Sequence, residues 1–426
     1  MRYNTKRRLM QNITASQQAF IDRLFFNLIV FTLIFGVMFY DIINTLGFSY
    51  VDEFCALFLV FLFGYKVAIT DTWQFNKAFL FVIFVFLFYM FYSMIIQSNT
   101  KGAILTDLLI QIKPYLSFFC VYALRPVLSE SQKKMIRQLV VLCTLYVLIV
   151  GLAGLVYQEV IKYTFAHMSR IATASSVLAL LYLYCSNYTK VDKIVFVLIL
   201  AIGLLSTRSK HFGFFVISVL LVFFLNRSFK MKLTFKNVFF IVSAMGLTIL
   251  AAWDKIHYYF ITGGFGTGRA ADDLYARMAL YFFSVRILAD YIPFGCGFAS
   301  YATYTSGTSY SSIYTKYNMN HMYGLTKEDP AFIADTYYPA LAQFGYAGIL
   351  LFFYFWFYLM KRAVKIFVKG FHKESVMAIL IIIFFLIECT SDSTLTHNRG
   401  MFIMMLLGLI FADVKNKEAN EDTVSK

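Results

Sequence analysis

Apolar residues run along this chain in blocks, each closed by charged or turn-forming residues, and most blocks approach the roughly 20 residues an α-helix needs to cross a bilayer. Read in order, they predict twelve helices, at about 20–40, 53–70, 78–96, 104–124, 138–157, 171–187, 192–206, 211–226, 237–253, 337–360, 375–389 and 399–414. The fourth block stands out because it carries Asp107, Lys113 and Pro114. An interfacial helix also fits it, and that choice would invert everything downstream. Residues 254–334, between the ninth and tenth blocks, contain no spanning block; ordered segments this long are uncommon unless they have a function. Within that segment Leu274, Met278, Phe282, Val285 and Leu288 recur at helical spacing, which predicts an amphipathic helix over 272–291 at the membrane face.

Positive charge tests the count, because Lys and Arg concentrate in cytoplasmic loops. With the N-terminus inside and twelve spans, three basic groups fall on the inner side: Arg125, Lys133, Lys134 and Arg137; Arg227, Lys230, Lys232 and Lys236; and Lys361, Arg362, Lys365, Lys369 and Lys373. Residues 41–53, on the outer side, have only acids among their charges. The expected organisation is helices one to nine in 1–253, a large extracytoplasmic loop in 254–336, helices ten to twelve in 337–414 and a cytoplasmic tail in 415–426. Arg2, Lys6, Arg7 and Arg8 precede the first block as in a signal peptide, but no small-residue cleavage site follows 24–40, so that block is expected to remain as a span.

Composition agrees with this. The chain is 60% apolar and 14% charged, against roughly a quarter charged in soluble domains, which excludes a soluble enzyme and defines an all-α, polytopic integral membrane protein. The formal charge of +15 is accounted for by topology, so nucleic-acid binding is not needed; the inner clusters also suit anionic membrane lipid. The six cysteines are dispersed without paired spacing and the six histidines lack a His-x-x-x-His pattern, so neither a metal nor a cofactor is expected.

Candidate chemistry lies on the outer side. Arg208 and Lys210 sit on a short polar turn, Ser206 to His211, between two blocks. A snorkelling arginine is one reading, but two cations on a minimal outer turn run against the topological bias and favour an anionic ligand. Arg277 and Arg286 share the predicted amphipathic helix at a spacing of nine, roughly 180° apart, so a straight helix cannot aim both at one ligand. The run Gly263 to Gly268, followed by Arg269, resembles a phosphate-cradling loop but lacks Gly-Lys-Ser/Thr and a preceding strand, and is read as a flexible loop. The tyrosines from Tyr301 to Tyr323 offer faces for stacking on sugar rings, beside the interfacial-belt role common to this residue. Outer titratable groups are Asp335, His321, Glu328, Asp329, Glu159, His167, Glu388, Asp392 and His397. Asp335 immediately precedes a span, where both a helix N-cap and an acid facing a cavity fit.

Three motifs together resemble the O-antigen ligase and Wzy polymerase superfamily. Leu205-Ser-Thr-Arg-Ser-Lys-His-Phe-Gly-Phe214 is similar to that family's Ser-Arg turn between two spans. Arg277 to Gly297, ending Ile-Pro-Phe-Gly-Cys-Gly, resembles its arginine-bearing helix and glycine turn, and Arg286 and Gly297 fit an Arg-x10-Gly pattern. Asp335-Thr-Tyr-Tyr-Pro-Ala-Leu-Ala-Gln-Phe-Gly345, with Gly348, resembles the motif opening the span after the large loop. Ligases carry His-Asn where this chain has Ala334 and Asp335, a departure that favours a polymerase.

The resemblance implies a bacterial inner-membrane glycosyltransferase with both termini cytoplasmic, extending O-antigen or capsule from a polyprenyl-pyrophosphate-linked oligosaccharide. It implies that Arg208 and Lys210, with either Arg277 or Arg286, bind the diphosphate without metal or cofactor, because guanidinium forks match phosphate oxygens. Asp335 is the first choice of base, His321 the second, and a chain-length regulator protein is an expected partner. A ligase acting on a lipid core is the nearest alternative. A lipid-linked oligosaccharide flippase shares the composition, but such transporters usually have symmetric halves and charges buried mid-span.

Overall fold

The computed structural model describes residues 2–47, 50–70, 76–225 and 276–424. The predicted ninth span, the run Gly263 to Gly268 and Arg269 lie outside these residues. All regular structure among the described residues is helical, with no strand. Helix α1 (Arg2–Phe31) passes into a π-helical stretch, Thr32–Met38, and a short α2 (Tyr40–Thr45). Then come α3 (Val51–Ile69), α4 (Lys77–Ile95), α5 (Lys101–Leu124), α6 (Glu130–Val156), α7 (Glu159–Thr164), α8 (Met168–Cys185), α9 (Lys190–Ile202) and α10 (Ser209–Phe224). The second half holds α11 (Ala276–Asp290), α12 (Tyr304–Thr308), α13 (Ser312–Lys316), α14 (Tyr337–Ala340), α15 (Gly345–Val368), α16 (His372–Glu388) and α17 (Asn398–Val424).

The polar residues that close the apolar blocks act as caps. Thr100 accepts from the Ala103 amide at the start of α5, and Ser129 with Gln132 forms a reciprocal capping box on α6. Six helical stretches among the described residues are long and apolar enough to cross a membrane: Ser16–Met38, Lys77–Ile95, Lys101–Leu124, Glu130–Val156, Met168–Cys185 and Tyr337–Val368. They make this a membrane protein. Helices α3, α9, α10, α16 and α17 occupy the other predicted block positions, but are shorter or more charged; α3, for instance, carries Asp52, Glu53 and Lys66.

The anomalous fourth block is one of the most buried helices. α5 runs unbroken through Pro114, and Lys113 is matched by Asp52 and, at 2.7 Å, by Glu53 of α3. A charge inside the bundle is tolerable because its partners travel with it. α17 crosses α5 closely at Gly408, where a Cβ would lie 2.5 Å from the Phe118 carbonyl oxygen.

Side-chain contacts sort the helix ends into two sets. At one end Lys66 reaches the Leu124 carbonyl (2.5 Å), Arg362 the Tyr122 hydroxyl (2.8 Å), Lys373 the Ser186 carbonyl (2.5 Å) and Lys417 Glu374 (2.5 Å). At the other end lie the starts of α3, α5, α8, α10, α15 and α17 with the ends of α4 and α16, and there residues 276–344 pack.

That segment has its own apolar core, which includes Leu280, Phe283, Ile287, Met319 and Leu325. Tyr301 and Tyr314 belong to it, fully buried: Tyr301 donates to the Leu280 carbonyl (2.6 Å), and Tyr314 accepts from the Ala302 amide (2.8 Å). These two are therefore core residues, and the expectation that they stack on sugars is corrected. α11 also differs from expectation. Its inward stripe is Ala279, Leu280, Phe283 and Ile287, whereas Phe282 and Val285 of the predicted stripe are exposed. The helix is apolar on both faces, and packing within the segment selects the one that turns inward.

A main-chain bracket fixes the segment to the bundle. The Gly297 amide donates to the Gln343 carbonyl (2.8 Å) and the Ala347 amide to the Pro293 carbonyl (3.1 Å). Tyr92 and Tyr89 of α4 donate to the carbonyls of Gly295 (2.8 Å) and Phe344 (2.7 Å), while Asp107 of α5 accepts from the Ala299 amide (2.7 Å). Gly295 and Gly345 lie face to face, both at positive φ, and a Cβ on Gly345 would sit 2.3 Å from the Pro293 carbonyl oxygen. Gly345→Ala is expected to cost about 2–5 kcal/mol, from strain and overpacking together. Gly370→Ala, with positive φ but no atom within 4 Å of the new Cβ, is expected to cost only about 1–2 kcal/mol. Thermal unfolding in detergent checks the difference.

Candidate functional site

The loop joining α16 to α17 carries the centre of the site. Lys210, in the first turn of α10, is buried between Glu388 (2.6 Å) and Asp392 (3.1 Å). Thr394 donates to the other oxygen of Asp392 (2.8 Å). Ser393 donates to the Ala334 carbonyl (2.7 Å), which ties this loop to the residue preceding Asp335. Asp335 in turn pairs with Arg277 of α11, and Tyr281, one turn further along α11, donates to the Thr390 carbonyl (2.7 Å). Three segments distant in sequence thus meet at one end of the bundle.

A second set of charges adjoins the first. Asp41, at the end of the N-terminal span, is almost fully buried and binds two arginines, one through each oxygen: Arg170 of α8 and Arg399 of α17 (2.8 Å). Arg208, before α10, donates to Nε2 of His167 (2.7 Å). Gly36, in the π-helical stretch, supplies a carbonyl to Asn398; π-helical turns free carbonyls in this way.

Proton affinities show that the two sets share one field. Burial raises the pKa of Asp335; Arg277 opposes it, Asp392 adds to it and Lys210 again opposes it. Burial would also raise Asp392, but the Lys210 ammonium and His397 outweigh it and hold that carboxyl below its usual range. Asp392 pulls the proton affinity of His397 upward, while Arg170 and Arg399 push it down. His167 is lowered by burial and then by Arg208, with Asp392 opposing. Asp392 therefore acts on Asp335, His167 and His397 alike. With neutral histidines, Lys113, Arg170, Arg208, Lys210, Arg277 and Arg399 balance Asp41, Asp52, Glu53, Asp335, Glu388 and Asp392.

Beside it lies an apolar cavity of about 510 Å³ between α4, α5 and α15, lined by Phe81, Val85, Tyr115, Phe352 and Phe355 among others. Its polar end is formed by Gln111 and Tyr337, whose side chains are hydrogen-bonded at 3.2 Å. Tyr337 lies two residues beyond Asp335, so an apolar recess and the charged cluster adjoin.

Of the residues singled out by sequence, Arg208, Lys210, Arg277 and Asp335 are in this cluster. Arg286 is exposed on another face of α11, over the rings of Phe282 (4.6 Å) and Phe283 (5.6 Å). His321 is exposed on the turn closed by the Met322 amide and the Met319 carbonyl. Lys210 is enclosed by carboxylates, in place of the expected diphosphate contact. Sequence reasoning missed Asp41, Arg170 and Arg399, although cations at the start of α8 and α17 oppose the topological bias just as Arg208 does. No protein-family model matches the sequence, and no curated protein matches it significantly.

Lys210→Met leaves Glu388 buried without its ammonium and is expected to destabilise the protein by about 3–5 kcal/mol, whereas Lys210→Met with Glu388→Leu recovers most of that loss; detergent thermal unfolding checks both. Arg277→Gln removes the charge that opposes burial at Asp335 and so raises its pKa further. A carboxyl raised on folding stabilises the fold when protonated, so stability falls as pH rises from the usual carboxylate range through the raised value. That window should extend to higher pH in the variant, read as unfolding temperature against pH.

Proposed function

We propose that this protein is a glycosyltransferase of the bacterial inner membrane that polymerises polyprenyl-pyrophosphate-linked oligosaccharide repeat units into a surface polysaccharide, O-antigen or capsule. The observation that carries this reading is the meeting of Arg208, Arg277 and Asp335, drawn from three separate sequence motifs, in one charged cluster beside an apolar recess. A substrate with an isoprenoid tail and a diphosphate head needs those two environments side by side.

In this reading the chain crosses the membrane twelve times with both termini cytoplasmic, and residues 254–336 lie outside. Two of the inner basic groups of the sequence, those with Arg125 and Lys133 and with Arg362 and Lys373, lie at the helix ends opposite the cluster, which supports an outward-facing site. Arg277 and Arg208 bind the donor diphosphate and stabilise the charge that develops as it leaves. An acceptor sugar hydroxyl displaces it at the anomeric carbon in one inverting step, and no metal or cofactor takes part. Asp335 orients Arg277 and remains the carboxylate closest to this chemistry, and a chain-length regulator is a natural partner. Ala334-Asp335 in place of His-Asn favours polymerase over ligase. The buried pairs Lys113–Asp52 and Lys210–Glu388 are the specific observation behind a second reading, a lipid-linked oligosaccharide flippase, because transporters bury paired charges in this way.

Complementation of a deletion strain tests the proposal, with surface-polysaccharide gels as readout and membrane levels matched. Wild type is expected to restore long chains. Arg208→Ala, Arg277→Ala and Asp335→Ala are each expected to cut long-chain product at least ~100-fold, the scale of losing a group that stabilises the transition state, leaving single repeat units. Long chains retained on the polyprenyl carrier would indicate a ligase, and single units trapped on the cytoplasmic leaflet a flippase.

A further inference from the structure

We infer that α11 rests on the lipid bilayer, and that Arg286 binds the phosphate of an anionic phospholipid there. This goes beyond the reaction proposed above and does not depend on it. The side of α11 turned away from its core is apolar. Phe282, Val285 and Ala289 are exposed and share one face by their spacing of three and four, and Ile292 and Phe294, just past the helix end, are exposed too. Val285 and Ile292 show 64% and 67% of their surface. An apolar stripe of this length calls for a non-aqueous cover.

The neighbours of the stripe say what that cover is. Phe294 lies against Phe88 and Tyr92 of α4, with ring centroids 5.1 and 5.8 Å apart, and the Pro293 carbonyl accepts from the Ala347 amide of α15. Both α4 and α15 belong to stretches long and apolar enough to span a membrane. Both also turn large apolar side chains outward near these contacts, Phe91 and Ile95 from α4 and Leu350 from α15. Phe88 and Tyr92 precede the end of α4 at Ile95 by about 5–10 Å at 1.5 Å per residue, the depth to which interfacial helices sink their apolar face. The lipid around α4 and α15 therefore reaches Ile292 and Phe294 and continues over Val285 and Phe282.

Arg286 stands at the edge of the stripe. Asp290, one turn on, would be its usual partner, but that carboxylate accepts from the Tyr317 hydroxyl at 2.5 Å. Among the described residues, the contacts of the Arg286 guanidinium are the rings of Phe282 and Phe283. Ring faces attract its charge and leave the N–H fork free for phosphate oxygens. A stem lying along apolar rings with its head in the headgroup layer is how an arginine anchors an interfacial helix. The spacing of nine puts Arg286 on the opposite side of α11 from Arg277, so one phosphate cannot take both.

Photo-crosslinking of the full-length protein tests this. p-Benzoylphenylalanine is placed at Val285 or, in a second variant, at Ile292, and irradiated in phosphatidylcholine nanodiscs that contain a minor share of phosphatidylglycerol. Mass spectrometry is expected to find phospholipid adducts at both positions. At position 285 the ratio of phosphatidylglycerol to phosphatidylcholine adducts should exceed the bulk ratio about 5-fold, the factor for about 1 kcal/mol per basic residue at an anionic surface. Arg286→Gln should return it to the bulk ratio, and Arg286→Lys, which keeps the charge, should hold most of the enrichment. Absence of lipid adducts at both positions would overturn the seat on the bilayer. An unchanged adduct ratio in Arg286→Gln would overturn the role of Arg286. The same variants irradiated in native membranes should again capture phospholipid; capture of a polyprenyl-linked oligosaccharide instead would assign Arg286 to the donor diphosphate.

Discussion

The placement of Arg277 opposite Asp335 depends on the main-chain bracket between residues 293–297 and 343–347. Four amide and carbonyl groups join two stretches of backbone that approach so closely that neither Gly295 nor Gly345 has room for a Cβ. One side of the bracket ends α11, which carries Arg277, and the other begins α15, just beyond Asp335. Tyr89, Tyr92 and Asp107 hold it onto α4 and α5. Main-chain bonds suit this task because they have no rotamers to lose, and the relative position of a cation and a carboxylate from separate segments is set to within the tolerance of a hydrogen bond. The motif glycines serve the site through shape, at a distance from the chemistry.

Charge inside the bundle follows a second rule. Away from water an unmatched ion costs several kcal/mol, and the cations of the cluster are accompanied by carboxylates: Lys113 by Asp52 and Glu53, Lys210 by Glu388 and Asp392, and Arg170 and Arg399 by Asp41. The arrangement leaves the cluster balanced yet responsive, because moving one guanidinium changes the field at every other group.

Much of the helical architecture was legible because bilayer-spanning helices must satisfy their backbone internally and show apolar faces, which appear as blocks. The same logic counted α5 as a span but left an interfacial helix open, because Asp107 and Lys113 look unsuited to a span until their partners on other elements are known. Long-range pairing has no local signature: nothing near residue 41 signals that Asp41 will meet Arg170 and Arg399. Arg208 was detectable because two cations on a short outer turn contradict the charge bias, and Asp335 because of its place before a span. Tyr301 and Tyr314 were misread because a tyrosine in an aromatic-rich loop looks the same whether it forms the surface or the core.

The ion pair between Asp41 and Arg399 of α17 has a consequence for biosynthesis. Asp41 and Arg399 are 358 residues apart, and at roughly 5–20 residues per second the ribosome needs roughly 20–70 s to cover that distance. Arg170, 129 residues on, reaches Asp41 first, and only the second oxygen of the acid waits for Arg399, as the Gly36 carbonyl waits for Asn398. α17 completes these contacts when it packs against α5 and the π-helical turn. A chain released before α17 would leave Asp41 with Arg170 alone and the Gly36 carbonyl without Asn398.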